Sequence, residues 1–256
     1  MKIKILGAHN TESRRTKMTC LLVDNVLALD AGALTSSLSF RDQMKIKVVF
    51  LTHAHYDHIR DIPALAMNLF LRRKSITICT HQTVLDNLTR YFLNDSIYPE
   101  FHKRPPENPT LKFRVLEPYR ETEIEGYRVL AVPVTHALPA MGFQITASDG
   151  KTIFFTGDTG ANLTEVWNQI SPQCLIIELT AANRWEQAMN HSGHLTPNLL
   201  QTELINFQKI KGYSPQVILV HLNPLDESQI ASEISVLEGS LKANMRLAHE
   251  GMQIEL

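Results

Sequence analysis

Thr52-His53-Ala54-His55-Tyr56-Asp57-His58 is the stretch that decides how this chain reads. It follows Lys47–Leu51, a β-branched, apolar run of the kind that forms a fully buried strand. It precedes Asp61–Leu71, where Ile62, Leu65, Ala66 and Leu69 recur at helical spacing. Four potential metal ligands therefore fall within six residues, between a strand end and a helix. Imidazole suits zinc, iron, nickel and copper, and a carboxylate adds charge and can bridge two ions. His53 and His55 are two apart, so on extended backbone they point the same way. Asp57 and His58 come after the chain turns and can face a second ion. One short loop can thus feed two neighbouring metals.

Three further positions follow the same rule. His136 comes after Val132-Pro133-Val134-Thr135, Asp158 after the strand Ile153–Phe155 in Thr156-Gly157-Asp158-Thr159-Gly160, and His221 after Val217–Val220. Each alone is a weak signal. Together with the first cluster they form a set, because every one ends an apolar strand, where α/β sheets build their sites.

The rest of the chain supplies the frame. Lys2–Leu6, Cys20–Val23 and Leu27–Asp30 read as strands, with a hairpin turn at Asp24-Asn25. Leu34–Met44 and Gln82–Leu93 read as helices around the strand Ser75–Cys79. Asn94–Thr110, with Pro99, Pro105, Pro106 and Pro109, is a loop long enough to be a lid or binding loop. The second half restarts with strands at Tyr127–Val134, Gly142–Ala147 and Thr152–Phe155, the last two joined by an Asp149-Gly150 hairpin. Helices over Leu163–Ile170, Pro197–Ile210 and Ser228–Leu241 then alternate with strands Cys174–Leu179, Gln216–Val220 and Met252–Leu256. Two such halves are expected to pack as sheets with helices outside, in one domain spanning 1–256.

Composition excludes several classes. The 256 residues carry 25 Lys+Arg against 26 Asp+Glu, a formal charge of −1, which argues against an extended polyanion as main partner. Apolar content of 44% excludes a disordered chain. Apolar runs of four or five residues are too short for a membrane span or a secretory signal. Cys20, Cys79 and Cys174 are widely spaced and form no C-x-x-C, so neither a disulfide framework nor a cysteine zinc cluster is expected, and a cytoplasmic location is.

On these residues the chain resembles the metallo-β-lactamase-fold hydrolases over essentially its whole length. The resemblance implies an α/β fold, a four-layer αββα sandwich, with a dinuclear site at one edge of its two sheets. It also implies the ligand division: His53, His55 and His136 for the first metal, Asp57, His58 and His221 for the second, and Asp158 bridging both. Two divalent ions are expected, with zinc favoured and iron or manganese as alternatives. A hydroxide between two such ions is a nucleophile at neutral pH, and Asp57 would accept its hydrogen bond.

Two more segments bear on the substrate. In Asn190-His191-Ser192-Gly193-His194-Leu195-Thr196-Pro197, Thr196 is a candidate N-cap and Pro197 sits at the first helical position. His194 then lies near a helix N-terminus, which favours anions such as phosphate. The segment resembles the G-H-[ST] segment of ribonuclease Z and the S-G-H-L-[ST]-P segment of class II cyclic nucleotide phosphodiesterases. By that similarity His194 would contact the scissile phosphate or protonate the leaving oxygen. His221-Leu222-Asn223-Pro224 and the loop Asn94–Phe101 resemble the phosphodiesterase group more than ribonuclease Z. Tyr91, Phe92, Tyr98 and Phe101 offer aromatic faces for a base to stack on, so Asn223 and Tyr98 join His194 as candidate substrate contacts. No long Gly/Pro-rich arm for gripping transfer RNA is visible. Tyr56 departs from the leucine that many of these phosphodiesterases carry, and His9, in an atypical first turn, reads as solvated.

The expectation is therefore a dinuclear phosphodiesterase acting on a small cyclic nucleotide, with no membrane partner and, by analogy, a homodimer. Its rivals are a ribonuclease Z-like RNA 3′-processing endonuclease, a lactone or thioester hydrolase, and a non-hydrolytic di-iron redox or oxygen-binding protein.

Overall fold

A computed structural model describes residues 1–241 and 243–256. Six strands form most of a first sheet: β1 (Lys2–Gly7), β2 (Cys20–Val23), β3 (Leu27–Leu29), β4 (Val48–Phe50), β5 (Ile76–Thr80) and β6 (Leu111–Val115). Seven form a second: β7 (Glu121–Ile124), β8 (Tyr127–Val134), β9 (Ala140–Thr146), β10 (Thr152–Phe155), β11 (Cys174–Glu178), β12 (Gln216–Val220) and β13 (Met245–Leu247). The last strand, β14 (Gln253–Glu255), returns to pair with β1. The orders are β14-β1-β2-β3-β4-β5-β6 and β13-β12-β11-β10-β9-β8-β7.

The helices divide between the outer faces. α1 (Leu34–Ser37), α2 (Phe40–Gln43), α3 (Tyr56–Ile59), α4 (Ile62–Phe70) and α5 (Gln82–Asn87) belong to the first half. α6 (Thr164–Gln169), α7 (Glu186–Ser192), α8 (Pro197–Lys211) and α9 (Glu227–Leu241) belong to the second. Alternation along the strands decides what each face meets. Phe50 and Ile5 point inward with Phe143, Phe155 and Ile176 between the sheets. Val49 and Leu51 point outward against Ile62, Leu65 and Leu69 of α4. Phe154 and Leu175 point outward against Trp167, Leu200 and Phe207 of α6 and α8. The layers are thus αββα, as expected. Each fully buried Leu, Ile or Phe contributes about 1.5–3 kcal/mol of transfer free energy, and dozens of such residues hold the two sheets rigid. Among the described residues no helix is long and apolar enough to cross a membrane.

Several local expectations need correction. The helix expected over Leu34–Met44 is two short ones, because the Ser39 side chain accepts from the Asp42 backbone N–H and starts a new helix. Gln82–Leu93 is α-helical only to Asn87 and continues as a π-turn over Leu88–Phe92. Strands β6, β7 and β13 and helices α3 and α7 were not anticipated. β6 and β7 are edge strands that expose Lys112, Arg114, Glu121 and Glu123, so no apolar run marks them.

Topology puts the functional loops together. β3, β4, β5 and β6 run parallel, as do β10, β11, β12 and β13. β8 is antiparallel to β9 and β9 to β10, so β8 ends on the same edge as β10. The chain after β3, β4, β8, β10, β11 and β12 therefore emerges along one rim of the sandwich.

Candidate active site

Asp30 anchors the site from below. It follows β3 in a left-handed conformation (φ 56°) and is fully buried. Its carboxylate accepts from the Thr52 backbone N–H at 2.9 Å and from the Thr52 hydroxyl at 2.9 Å. It also accepts from His58 Nδ1 at 2.6 Å. One buried acid thus ties the end of β4 to α3. Gly157, just before Asp158, has φ +61°, and a Cβ there would lie 2.6 Å from Thr52 Cβ. The loop after β10 can therefore approach Thr52 only with glycine at this position.

The hydrogen-bond network assigns the tautomers of the imidazoles. Thr52 gives its hydroxyl proton to Asp30, so it accepts from His53 Nδ1–H at 3.0 Å. His58 Nδ1–H is given to Asp30, and His136 Nδ1–H to the Gly193 carbonyl at 3.0 Å. Thr180 gives its hydroxyl proton to Glu178 at 2.7 Å and accepts from His221 Nδ1–H at 2.8 Å. In the neutral form each of these four rings presents Nε2 as its lone pair; for His58 burial, first, favours that form, but the carboxylates of Asp158, Asp30 and Asp57 override it and raise its pKa well above the ordinary range. His55 completes the set through Nδ1, which lies 2.9 Å from His53 Nε2 and 3.2 Å from His136 Nε2.

These ring nitrogens converge with the carboxylates of Asp57 and Asp158. His53, His55, His136 and Asp158 bring their donor atoms within 4.8 Å of one another, and so do Asp57, His58, Asp158 and His221. Asp158 belongs to both groups: its Oδ1 is 3.1 Å from His58 Nε2, and its Oδ2 is 3.3 Å from His221 Nε2 and 3.5 Å from His53 Nε2. Asp57 Oδ2 is 3.2 Å from His221 Nε2 and 3.5 Å from His58 Nε2. Buried His58 Nε2 and Asp158 Oδ1 have no hydrogen-bond partner. Buried polar atoms left so are costly, at about 1–3 kcal/mol each. A cation between them removes that cost, and ligands about 2.0–2.1 Å from a zinc ion sit about 3.3 Å apart at the corners of a tetrahedron. The donor set fits two divalent cations. Burial, first, and neighbouring imidazoles hold His53, His55 and His136 below the ordinary histidine range, which keeps them neutral. His221 takes a left-handed backbone (φ 61°), an uncommon state for a residue with a Cβ.

His194 stands apart from both groups. Its Nδ1 is 2.6 Å from Glu178 Oε1, and its ring stacks on His221 at 5.5 Å and meets His136 edge-on at 5.0 Å. Burial alone would lower its pKa, but the Glu178 carboxylate overrides this and pushes it up to about 9. Glu178 is fully buried at the end of β11. It also accepts from the backbone N–H groups of Thr159, Thr180 and Leu195. Gly193 is in a left-handed conformation, and a Cβ there would lie 3.0 Å from the His136 Cα, so glycine lets the chain before His194 pack on His136. Thr196 occupies the N-cap position of α8, yet its hydroxyl makes no cap bond and has no partner.

The other sequence candidates fall elsewhere. Asn223 follows His221 on the same rim, but its side chain accepts from the Leu225 backbone N–H. Tyr98 packs against the second core cluster, 6.1 Å from Phe101, which is itself buried. His9 is buried rather than solvated, because Glu250 takes its Nδ1 at 2.7 Å and the chain there pairs with Leu222. Sequence reasoning missed Asp30, Thr52, Glu178 and Thr180. The signal for Glu178 was a lone acid ending the apolar run Cys174-Leu175-Ile176-Ile177.

Comparison with known proteins agrees with this geometry. The profile of the beta-lactamase superfamily domain matches residues 19–222, a span that holds every member of both donor groups. Ribonuclease Z of Pyrococcus abyssi (strain GE5 / Orsay) is 28% identical over 154 residues, covering 58% of this chain and 48% of that protein. A 3′,5′-cyclic-nucleotide phosphodiesterase of Aliivibrio fischeri is 24% identical over 190 residues, covering 66% of this chain and 55% of that protein. The chain thus spans about half the length of these curated relatives. Unliganded yeast PDE1 superposes with a TM-score of 0.86 at 18% identity, over 100% of this chain and 99% of that one. The match over residues 19–222 makes this chain a member of the beta-lactamase superfamily domain family, with the metallo-β-lactamase fold.

Proposed function

We propose that the protein is a metal-dependent phosphodiesterase that cleaves small cyclic nucleotides, with 3′,5′-cyclic AMP as the test substrate. The observation that carries this reading is His194, an imidazole clamped by buried Glu178 between His136 and His221. His53, His55 and His136 would hold one divalent cation, Asp57, His58 and His221 a second, and Asp158 would join both. Cations there supply Lewis acidity, polarising phosphoryl oxygens and lowering the pKa of a water toward 7.

The chain's own residues do the rest. Asp30, Thr52, Thr180 and the Gly193 carbonyl fix four imidazoles in one tautomer, which directs Nε2 of each into the site. Asp57, whose Oδ2 lies 3.2 Å from His221 Nε2 and 3.5 Å from His58 Nε2, would serve as a ligand and accept a hydrogen bond from a water held at the site. His194 spends Nδ1–H on Glu178, so Nε2–H is the proton it can donate to the departing alkoxide. Such a donor is worth about 10²–10⁴ in rate. Names of the relatives support a phosphodiester substrate, and the ribonuclease Z relatives keep RNA 3′-end cleavage as the second reading. Competing 3′,5′-cyclic AMP against precursor transfer RNA separates the two. The proposal expects AMP release with little salt dependence; cleavage of the RNA alone, falling steeply with salt, would replace it.

A further inference from the structure

Tyr56 lies between His55 and Asp57, yet the residue is 56% exposed. An aromatic side chain left in water forgoes much of the stabilisation that burial gives. The backbone around it is nonetheless fixed. Tyr56 opens α3, whose end is tied to the loop after β3 by the Ala31 N–H to His58 carbonyl bond at 2.7 Å. Its ring stacks on Phe92 with centroids 6.5 Å apart and planes 23° from parallel. Phe92 ends the π-turn Leu88–Phe92 and packs on the second core cluster. A π-turn inserts an extra residue per turn and so re-aims the side chain that follows, a device common at functional sites. Here Phe92 lies alongside Tyr56, whose side chain remains largely exposed.

From this geometry we propose that Tyr56, backed by Phe92, is the platform on which the base of a nucleoside phosphodiester stacks, and so determines the preference for nucleotides over base-free diesters. The inference rests on the phosphodiesterase reading and names the residue that selects within it. A nucleotide presents a flat heterocycle one sugar away from its phosphate. An exposed ring on the short helix that also carries Asp57 and His58 can reach a base while those residues face the phosphate. Little side-chain entropy is lost on binding, because Phe92 already holds the ring. Tyr98 cannot serve this purpose, since it packs with Phe101 on the core.

Binding separates this claim from turnover. Calorimetry on the zinc-reconstituted chain compares AMP with ribose 5-phosphate, which keeps the sugar and phosphate but has no base. The wild type is expected to bind AMP at least about tenfold more tightly, within the range of base-aromatic stacking. Tyr56→Ala should erase that difference and Tyr56→Phe should keep it. Phe92→Ala, outside the ligand loop, should reduce it, which keeps the test open if Tyr56→Ala does not fold. Equal affinities in the wild type, or a preference unchanged in both alanine variants, would overturn the proposal. A wild type that prefers AMP yet hydrolyses no cyclic nucleotide would uphold the platform and remove the reaction instead.

Discussion

Glu178→Gln is the most informative single change to the catalytic arrangement. The fully buried carboxylate accepts five hydrogen bonds: from His194 Nδ1 and the Thr159 N–H on Oε1, and from the Thr180 N–H, Thr180 hydroxyl and Leu195 N–H on Oε2. A glutamine must point its NH2 at one of these two sets of donors. Whichever way the amide turns, donors face donors, at a cost of about 1–3 kcal/mol per unsatisfied buried group. The electrical effect on His194 is separate. The histidine's pKa stands above its ordinary value, so the proton is retained as pH rises and is lost through about 9. Without the carboxylate, His194 returns to about 6.5 or below. The protonated fraction at pH 8 then falls from about 0.9 to about 0.03, roughly 30-fold, whereas at pH 6 it falls by less than about a factor of two. The assay is kcat against pH for cyclic AMP in both proteins, with metal content measured alongside. The predicted signature is an alkaline limb displaced toward pH 6.5. An unmoved limb, or an equal loss at pH 6 and pH 8, would refute the role of Glu178 in holding the proton.

Other perturbations test other parts of the site. His194→Ala should retain both metals by elemental analysis while kcat falls by about 10²–10⁴; full activity would remove its role as proton donor. Asp158→Ala takes a ligand from both donor groups, so bound metal per chain should fall together with turnover. Gly157→Ala forces a Cβ to within 2.6 Å of Thr52 at a left-handed φ, and should destabilise the fold by about 2 kcal/mol or more. A native-like Tm in that variant would mean the loop after β10 is free to shift. Chelation should lower Tm of the wild type, since a ligand bound only by the native state stabilises it by mass action.

Residues that end apolar strands were the most legible part of this protein. His53, His55, His136, Asp158 and His221 each follow a run of buried β-formers, and a strand end is readable because periodicity stops where the polar ligand begins. The packing of two sheets with helices outside followed from helices alternating with strands, but strands β6 and β13 left no such signal. Illegible were residues whose role depends on partners distant in sequence. Asp30 meets His58 across 28 positions, and Glu178 meets His194 across 16, so neither pairing leaves a local trace. His9 illustrates the same limit: its buried partner Glu250 lies 241 positions away. Edge strands β6 and β7 were missed because exposed lysine, arginine and glutamate replace the apolar alternation. Ser39 split a helix that propensity alone would have continued, because a cap is decided by one hydroxyl rather than by a window of residues.

The most direct test of the whole account is AMP release from 3′,5′-cyclic AMP by metal-reconstituted protein, with metal stoichiometry measured on the same sample before and after chelation. The account predicts two divalent ions per chain and hydrolysis that disappears with the metals and returns on their addition. Two bound ions with no AMP released would contradict the cyclic nucleotide activity, and turnover surviving in metal-free protein would contradict the role of the His/Asp cluster itself.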